Sequence, residues 1–391
     1  MLSSAHRDIV KATVPLLETG GEALTTHFYR SMLDSHPEVR PLFNQAHQAN
    51  GAQPRALANG VLMYAKNIDR LENLGPLASQ IINKHVALQI LPEHYPVVGA
   101  CLLQAIREVL GAEIATDEVI EAWGAAYQQL ADILINAEHE VYESIAAAPG
   151  GWRGGRMFKV AAKVAESSEI ISFHLEPVDG QPVITHKPGQ YIGLRLNIDG
   201  KEVRRNYSLS APTSGTGLRI TVKREPGGVA STFLHDRIEA GSELELFPPS
   251  GEFVLGEGTK PLVLISGGVG ITPTIAMAET ALRAGNRRVI FIHYARNPQV
   301  QAFQALLKDW EARYPLFTAH VVYNEAADGQ SVTGMPSVAH LEQWLPAIKD
   351  VDAYFLGPKP FMAFMKRALR EVGVPPEQTR FEFFGPAEAL D

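Results

Sequence analysis

His85 lies in the run Asn83-Lys84-His85-Val86-Ala87-Leu88, with Ile81, Ile82 and Leu88 around it at helical spacing. A neutral imidazole in such a setting can bind iron. The chain has 13 histidines, so a core or surface histidine is the simpler account of any one of them. Other residues add weight. Tyr29 stands in an apolar helical stretch with Phe28 and Met32, and Gln53 and Leu57 are one helical turn apart on a later segment, sharing a face. A tyrosine hydroxyl and a glutamine amide can both hydrogen-bond the partly negative oxygen of a bound diatomic molecule. Glu138 belongs to the stripe Trp123, Tyr127, Leu130, Leu134, Glu138, Val141, whose steps of three and four keep one helix face. A carboxylate there is costly to bury unless paired. Accepting the second ring N–H of a metal-bound histidine would satisfy it; otherwise the stripe has drifted to the surface by its last turn.

Two further stretches suit nucleotides. Arg205-Asn206-Tyr207-Ser208 follows Pro188-Gly189-Gln190-Tyr191 and precedes VKRE, and Gly228 to Ser231 head the helical run VASTFLHDRI. Backbone N–H groups at that helix start could meet phosphate. Gly267-Gly268-Val269-Gly270-Ile271-Thr272-Pro273 closes an expected strand and opens an expected helix. Its glycines let the backbone approach a pyrophosphate. The pattern is not GxGxxG, and a lone GGxG has little specificity.

The elements that must position these residues change period twice. From residue 1 to 147 the apolar pattern is helical, with Pro37, Pro41, Pro54, Pro76, Pro92 and Pro96 near segment ends. Ala148-Pro149-Gly150-Gly151-Trp152 breaks it, and 148–155 reads as a linker. Residues 156–258 carry short β-rich runs (MFKVAAKV, IISFHLEP, QYIGLRLNI, NYSLSAP, LRITVKRE) separated by turn residues, which suggests an antiparallel barrel or sandwich. Residues 259–391 alternate strand and helix, as in PLVLISG then TIAMAETALRA, and predict a doubly wound parallel sheet.

Composition narrows the class. The formal net charge is −8, so no basic surface invites nucleic acid or anionic lipid. With Cys101 as the single cysteine, an intrachain disulfide and a CxxC metal site are excluded. The N-terminus lacks a signal-peptide apolar core and no run of about 18 apolar residues occurs, so a soluble, cytoplasmic protein is expected.

The segments HFYRSMLDSHPEVRPLFNQAHQ, NKHVAL and LPEHYPVVG resemble a bacterial globin, and the whole chain resembles a flavohaemoglobin. The resemblance implies an all-α globin, then an antiparallel β-barrel FAD domain, then an α/β nucleotide-binding domain. It implies haem b held by His85, with Tyr29, Gln53 and Leu57 on the distal side. Tyr95 and Glu138 complete a proximal triad, and Lys84 tunes the haem. Glu138 drawing on the His85 N–H would give the ring imidazolate-like basicity, which favours oxygen activation over storage. In the reductase part the resemblance implies Arg205 at the flavin pyrophosphate, Tyr207 and Ser208 at the isoalloxazine, and Tyr191 beside it. Gly357-Pro358 with Phe361-Met362 matches a second nucleotide segment. Cysteine usually precedes that Gly-Pro, and Leu356 stands here, which puts hydride transfer or cofactor preference in doubt. In the closing Glu382-Phe383-Phe384-Gly385-Pro386, Phe384 would cover the flavin, Phe383 reads as strand core and Glu382 would influence the potentials.

The activity implied is conversion of nitric oxide and O2 to nitrate, with electrons from NAD(P)H passed through FAD to haem. The alternatives are an NAD(P)H-dependent haem or flavin reductase, and an oxygen-binding or sensing globin. Arg296 could meet the 2′-phosphate of NADPH or lie in solvent, so the choice between NADH and NADPH stays open. So do the oligomeric state and a lipid in the distal pocket.

Overall fold

The computed structural model describes residues 2–43, 48, 51–325 and 331–385. Pro386 of the closing segment lies outside the described residues. The described chain packs as two compact units: 2–147 with 199–205 and 385, and 148–198 with 206–384.

The first unit is helical: α1 Ser4–Ala12, α2 Val14–Ser35, α3 Ala52–Lys66, α4 Gly75–Leu88, α5 His94–Leu110 and α6 Asp117–Ala147. Most of the prolines in this unit sit where helices tolerate them; Pro41 lies inside the short 3-10 helix Pro37–Leu42. Pro54, Pro76 and Pro96 fall in first turns, where no backbone N–H is needed. On α6 the buried face holds Trp123, Ala126, Leu134, Glu138 and Tyr142. The inward stripe therefore continues to Tyr142, where Val141 was expected.

The second unit holds both sheets apart from residues 201–205 of β4, which belong to the first unit. The first sheet has the order β4-β3-β6-β1-β2-β5. Its strands are β1 Arg156–Ala165, β2 Ile170–Pro177, β3 Tyr191–Ile198, β4 Lys201–Ser208, β5 Leu218–Lys223 and β6 Glu243–Leu246. An antiparallel bridge between Leu209 and Ile220 brings the two ends together and curls the sheet into a barrel. The strand expected to begin at Asn206 starts earlier, at Lys201. Asp199 and Gly200, with φ of 51° and 78°, make a tight turn with positive φ at both central residues, the geometry that folds β4 back on β3. The charged run KEVRR hid it, since a polar strand shows no apolar alternation. Trp152, from the stretch read as a linker, is buried, and its Nε1 donates to the Leu246 carbonyl at 3.2 Å.

The second sheet is parallel, in the order β11-β10-β7-β8-β9. It comprises β7 Leu262–Gly267, β8 Val289–Ala295, β9 Phe317–Tyr323, β10 Asp352–Leu356 and β11 Thr379–Phe381. Helices α8 Ile271–Ala284, α9 Gln304–Arg313, α10 Val338–Trp344 and α11 Lys359–Glu371 connect or flank them, while α7 Val229–Arg237 belongs to the barrel segment. The chain winds outward from β7 in both directions, so the strand order reverses between β7 and β10. Ligands of doubly wound sheets bind at the carboxyl ends of strands at such a switch point.

On β8, His293 is 1% exposed and its Nδ1 lies 2.8 Å from Ser266 Oγ on β7. Burial, partly offset by a hydrogen bond with the Ser266 backbone, pushes its pKa down to about 4. The folded protein therefore binds fewer protons than the unfolded chain between about pH 6.5 and 4. Stability is full above that window and falls as the pH drops through it. Urea titrations at pH 7 and 5 should show the wild type losing about 2 kcal/mol that His293→Gln does not lose. Equal losses in both proteins would place the acid sensitivity elsewhere.

Candidate functional site

The iron-ligand candidate is placed by the end of α4. Gln89, with φ of 56°, ends the helix in a left-handed turn. The Ile90 N–H then bonds the His85 carbonyl at 2.9 Å, and the Gln89 N–H bonds the Val86 carbonyl at 3.1 Å. Those two bonds are a Schellman closure. They leave the His85 ring facing α5 and α6. Its Nδ1 lies 2.7 Å from Glu138 Oε1 and 3.2 Å from Tyr95 Oη, while Tyr95 Oη donates to the same carboxylate oxygen at 2.6 Å. Glu138 is 2% exposed, so the carboxylate is buried and paired. Burial, then the Glu138 charge, pushes the Tyr95 hydroxyl well above the ordinary phenol range, which keeps it a donor.

With Nδ1 committed to Glu138, Nε2 is the nitrogen available to a metal. One protein ligand of this kind suits a haem iron, whose equatorial ligands come from the macrocycle.

Tyr29, Gln53 and Leu57 also come together. Thr25, one turn before Tyr29 on α2, donates to the Pro54 carbonyl on α3 at 2.8 Å. Gly21 permits close approach, since a Cβ there would already touch Ala58 at 3.5 Å. Tyr29 is 5% exposed, with its ring edge-on to Phe28 and Phe43 at centroid distances of 4.8 and 5.5 Å. Burial pushes its hydroxyl up to about 12, opposed by a side-chain hydrogen bond with Gln53. Leu57 is half-buried against the same core.

Lys84 Nζ donates to the Gly385 carbonyl. Residues that the sequence reading missed support the triad. Tyr127 Oη donates to the Tyr95 carbonyl at 2.7 Å, and Gly99 makes room, because a Cβ there would stand 2.5 Å from the Tyr127 ring. Tyr142 Oη donates to the Ile90 carbonyl at 2.8 Å. Gly99, four residues after Tyr95, was the available sequence signal.

In the barrel, Tyr191 is 8% exposed and pairs with Ser250 across an isolated bridge. Gly251 lies beneath its ring, where a Cβ would come within 2.7 Å. Burial, then the carboxylates of Glu382 and Glu252, pushes the Tyr191 hydroxyl up. The Leu209 N–H bonds the Gln190 carbonyl at 2.9 Å, joining the ends of the RNYS and PGQY segments. Ser208 is buried, Tyr207 half-buried and Asn206 exposed. Phe384 is 48% exposed, whereas Phe383 packs with the sheet core and edge-on to Phe381. The flat exposed ring and the cradle around Tyr191 fit a flavin. Ser231 Oγ is already used, accepting from the Glu225 N–H and donating to the Gly228 carbonyl. Free N–H groups at the start of α7, which has no side-chain cap, suit phosphate better than that hydroxyl. Arg205 Nη1 donates to the Arg204 carbonyl at 2.7 Å.

At the switch point, Gly267 to Gly270 join β7 to α8, whose N-terminus has no side-chain cap. Thr272 Oγ1 bonds back to the Val269 carbonyl at 3.1 Å, and Ile271, Thr272 and Pro273 are buried. Gly268 has φ of +55° and would carry a Cβ into open space. A Cβ on Gly270 would stand 2.3 Å from the Leu356 carbonyl oxygen, and Gly357 packs under Phe361. The loop thus fits a dinucleotide. Leu356 is fully buried and registered with Ser266. Arg296 is exposed and donates to Glu169, which leaves the choice between NADH and NADPH open.

Comparison with known proteins agrees with this fold. Residues 26–134 match the Globin family, 157–255 the Oxidoreductase FAD-binding domain and 264–367 the Oxidoreductase NAD-binding domain. The chain is 63% identical over 393 residues to the Flavohemoprotein of Pseudomonas aeruginosa, covering 100% of both chains. The chain belongs to the flavohemoprotein family. A Flavohemoprotein of Deinococcus radiodurans is 45% identical, covering 100% of this chain and 98% of its own. The crystal structure of a flavohemoglobin from Malassezia yamatoensis with bound FAD and heme superimposes with a TM-score of 0.86 at 28% identity, over 98% of this chain and 100% of that one. The FAD/NAD-binding domain of a nitric oxide dioxygenase from Vibrio cholerae matches at 33% identity and a TM-score of 0.57, covering 60% of this chain and 100% of that one. As a flavohemoprotein the chain has the modules of an NAD(P)H-dependent oxidoreductase with haem and FAD. No helix among the described residues is long and apolar enough to cross a membrane.

Proposed function

We propose that this flavohemoprotein is a nitric oxide dioxygenase, turning nitric oxide and O2 into nitrate at the expense of NAD(P)H. The observation that carries the reading is the His85–Glu138–Tyr95 triad on a chain that also contains its own reductase. A storage globin needs neither a carboxylate on its axial histidine nor a reductase. Bound haem would supply iron for the O2 and nitric oxide chemistry, and bound FAD the conversion between hydride and single-electron transfer.

The chain's own residues do the rest. Glu138 accepts from Nδ1 of His85 and holds that tautomer, so Nε2 is the electron-rich ligating atom. Tyr95 fixes the carboxylate from the other side. Tyr29, kept protonated at neutral pH and hydrogen-bonded with Gln53, would be the donor to a partly negative oxygen on this side of the haem. Leu57 and Phe43 exclude water beside it and would also accommodate a hydrophobic ligand. Arg205 and the start of α7 hold flavin phosphates, with Tyr207, Ser208 and Tyr191 at the ring system. Phe384 would cover a bound flavin, and Gly267, Gly268 and Gly270 would hold a dinucleotide pyrophosphate.

The test is nitrate formation from nitric oxide, O2 and NADH by the full chain. A yield no greater than that of free haem would overturn the reading. Tyr29→Phe should speed O2 release several-fold in flash photolysis, because it removes one hydrogen bond worth about 1 kcal/mol. An unchanged off-rate would mean that Tyr29 does not touch the ligand.

A further inference from the structure

The helix carrying His85 ends one turn later, and a helix end leaves carbonyls that need partners. The local sequence supplies some of them. The His85 carbonyl takes the Ile90 N–H, and the Val86 carbonyl takes the Gln89 N–H and the Gln89 side chain, the last at 2.9 Å. The Leu88 and Gln89 carbonyls are met from far away in sequence. Arg204 Nη1 donates to Leu88 at 2.5 Å and, more weakly, to Gln89 at 3.4 Å. Its side chain is 12% exposed and is aimed by Glu202, whose Oε1 accepts from Nε at 2.6 Å. Residues 199–205 pack as part of the helical unit, so this contact is internal to it.

A guanidinium at a helix C-terminus meets both the unpaired carbonyls and the negative end of the helix dipole. It also holds down Gln89, a non-glycine residue at φ of 56°, a conformation of higher energy for any residue with a Cβ. The stretch it clamps, residues 88–94, is the short connection between His85 and Tyr95. Both of those side chains bond Glu138.

We infer that Arg204 is a positioning residue for the iron ligand: it caps the end of α4 and so fixes how His85 presents Nδ1 to Glu138. The arginine comes from the strand that carries the RNYS segment, and the next residue, Arg205, donates to its carbonyl. One strand thereby supplies a cap to the haem helix and, in the reading above, a cation to the flavin phosphates.

The test uses the full chain loaded with haem and FAD, comparing wild type, Arg204→Met and Arg204→Lys. Methionine keeps the stem but has no donor; lysine keeps the charge and can reach one carbonyl. The first readout is the ferrous iron–histidine stretching band in resonance Raman spectra, which reports the His85–Glu138 hydrogen bond whatever the turnover. The band should move down and broaden in Arg204→Met and recover part of the way in Arg204→Lys. Haem transfer to apomyoglobin should run roughly fivefold faster in Arg204→Met, the factor matching one lost hydrogen bond of about 1 kcal/mol. A band and transfer rate identical to wild type in Arg204→Met would overturn the inference. So would equal displacement in both variants, which would assign the effect to strand packing. The inference rests on His85 being the iron ligand, and its failure is distinguishable from failure of that reading. Were His85 not the ligand, the wild type itself would lack the histidine band.

Discussion

Glu138→Gln should lower nitric oxide consumption at least tenfold while leaving the protein folded, and Glu138→Ala should cost stability as well. The buried carboxylate accepts from two donors at once, His85 Nδ1 at 2.7 Å and Tyr95 Oη at 2.6 Å. Glutamine keeps the volume and one acceptor but removes the negative charge that makes the imidazole a strong electron donor. Partners of this kind typically contribute 10–100-fold to activity. Alanine leaves the buried Tyr95 hydroxyl unmatched, at a cost of about 1–3 kcal/mol, and the half-buried His85 N–H without its acceptor. Steady-state nitric oxide removal and urea midpoints separate the two effects. If Glu138→Gln turns over like the wild type, the carboxylate is a structural tie and the case for an oxygen activator loses its main support.

Gly270→Ala should slow flavin reduction by NADH more than tenfold without touching the haem. The added Cβ would stand 2.3 Å from the Leu356 carbonyl oxygen and 2.7 Å from its carbon. Both atoms are backbone of a fully buried strand end, so neither can swing aside, and the loop between β7 and α8 must move instead. That movement pulls the N–H groups of the helix start away from a pyrophosphate. Gly268→Ala is a useful contrast: its Cβ meets nothing within 4 Å, and only the φ of +55° opposes it. Stopped-flow bleaching of the flavin by NADH measures the first effect, and O2 binding after chemical reduction checks the haem. Equal flavin reduction in Gly270→Ala and wild type would show that this loop does not hold the dinucleotide.

Much of the fold was legible because it rests on periodicity. Helical spacing through residue 147, alternation in the middle and strand-helix repeats at the end each follow from which faces must be buried. Strands whose residues are charged or short escaped. Lys201–Arg205 shows no apolar alternation, and β6, β9 and β11 were not anticipated, because pairing with neighbours rather than their own pattern holds them in place.

His85 illustrates the same division within the site. Its sequence neighbourhood was compatible with a core histidine, and Glu138 on a helical stripe hinted at a buried partner. That two side chains 53 positions apart meet at 2.7 Å was decided by the packing of α4 against α6. Tyr95 was available in sequence only through resemblance, since nothing in its spacing from either partner requires contact. Arg204 carried no sequence signal, because a helix cap borrowed from 116 residues away leaves no local mark. By itself the sequence determined the residue types, the helix on which iron would be bound and the loops that let a backbone approach phosphate, because these depend on local geometry. Which donor meets which acceptor, and therefore that His85 Nδ1 and Tyr95 Oη share the Glu138 carboxylate, was decided by tertiary structure. Hydrogen bonds act over about 3 Å, and only the folded chain brings these groups that close.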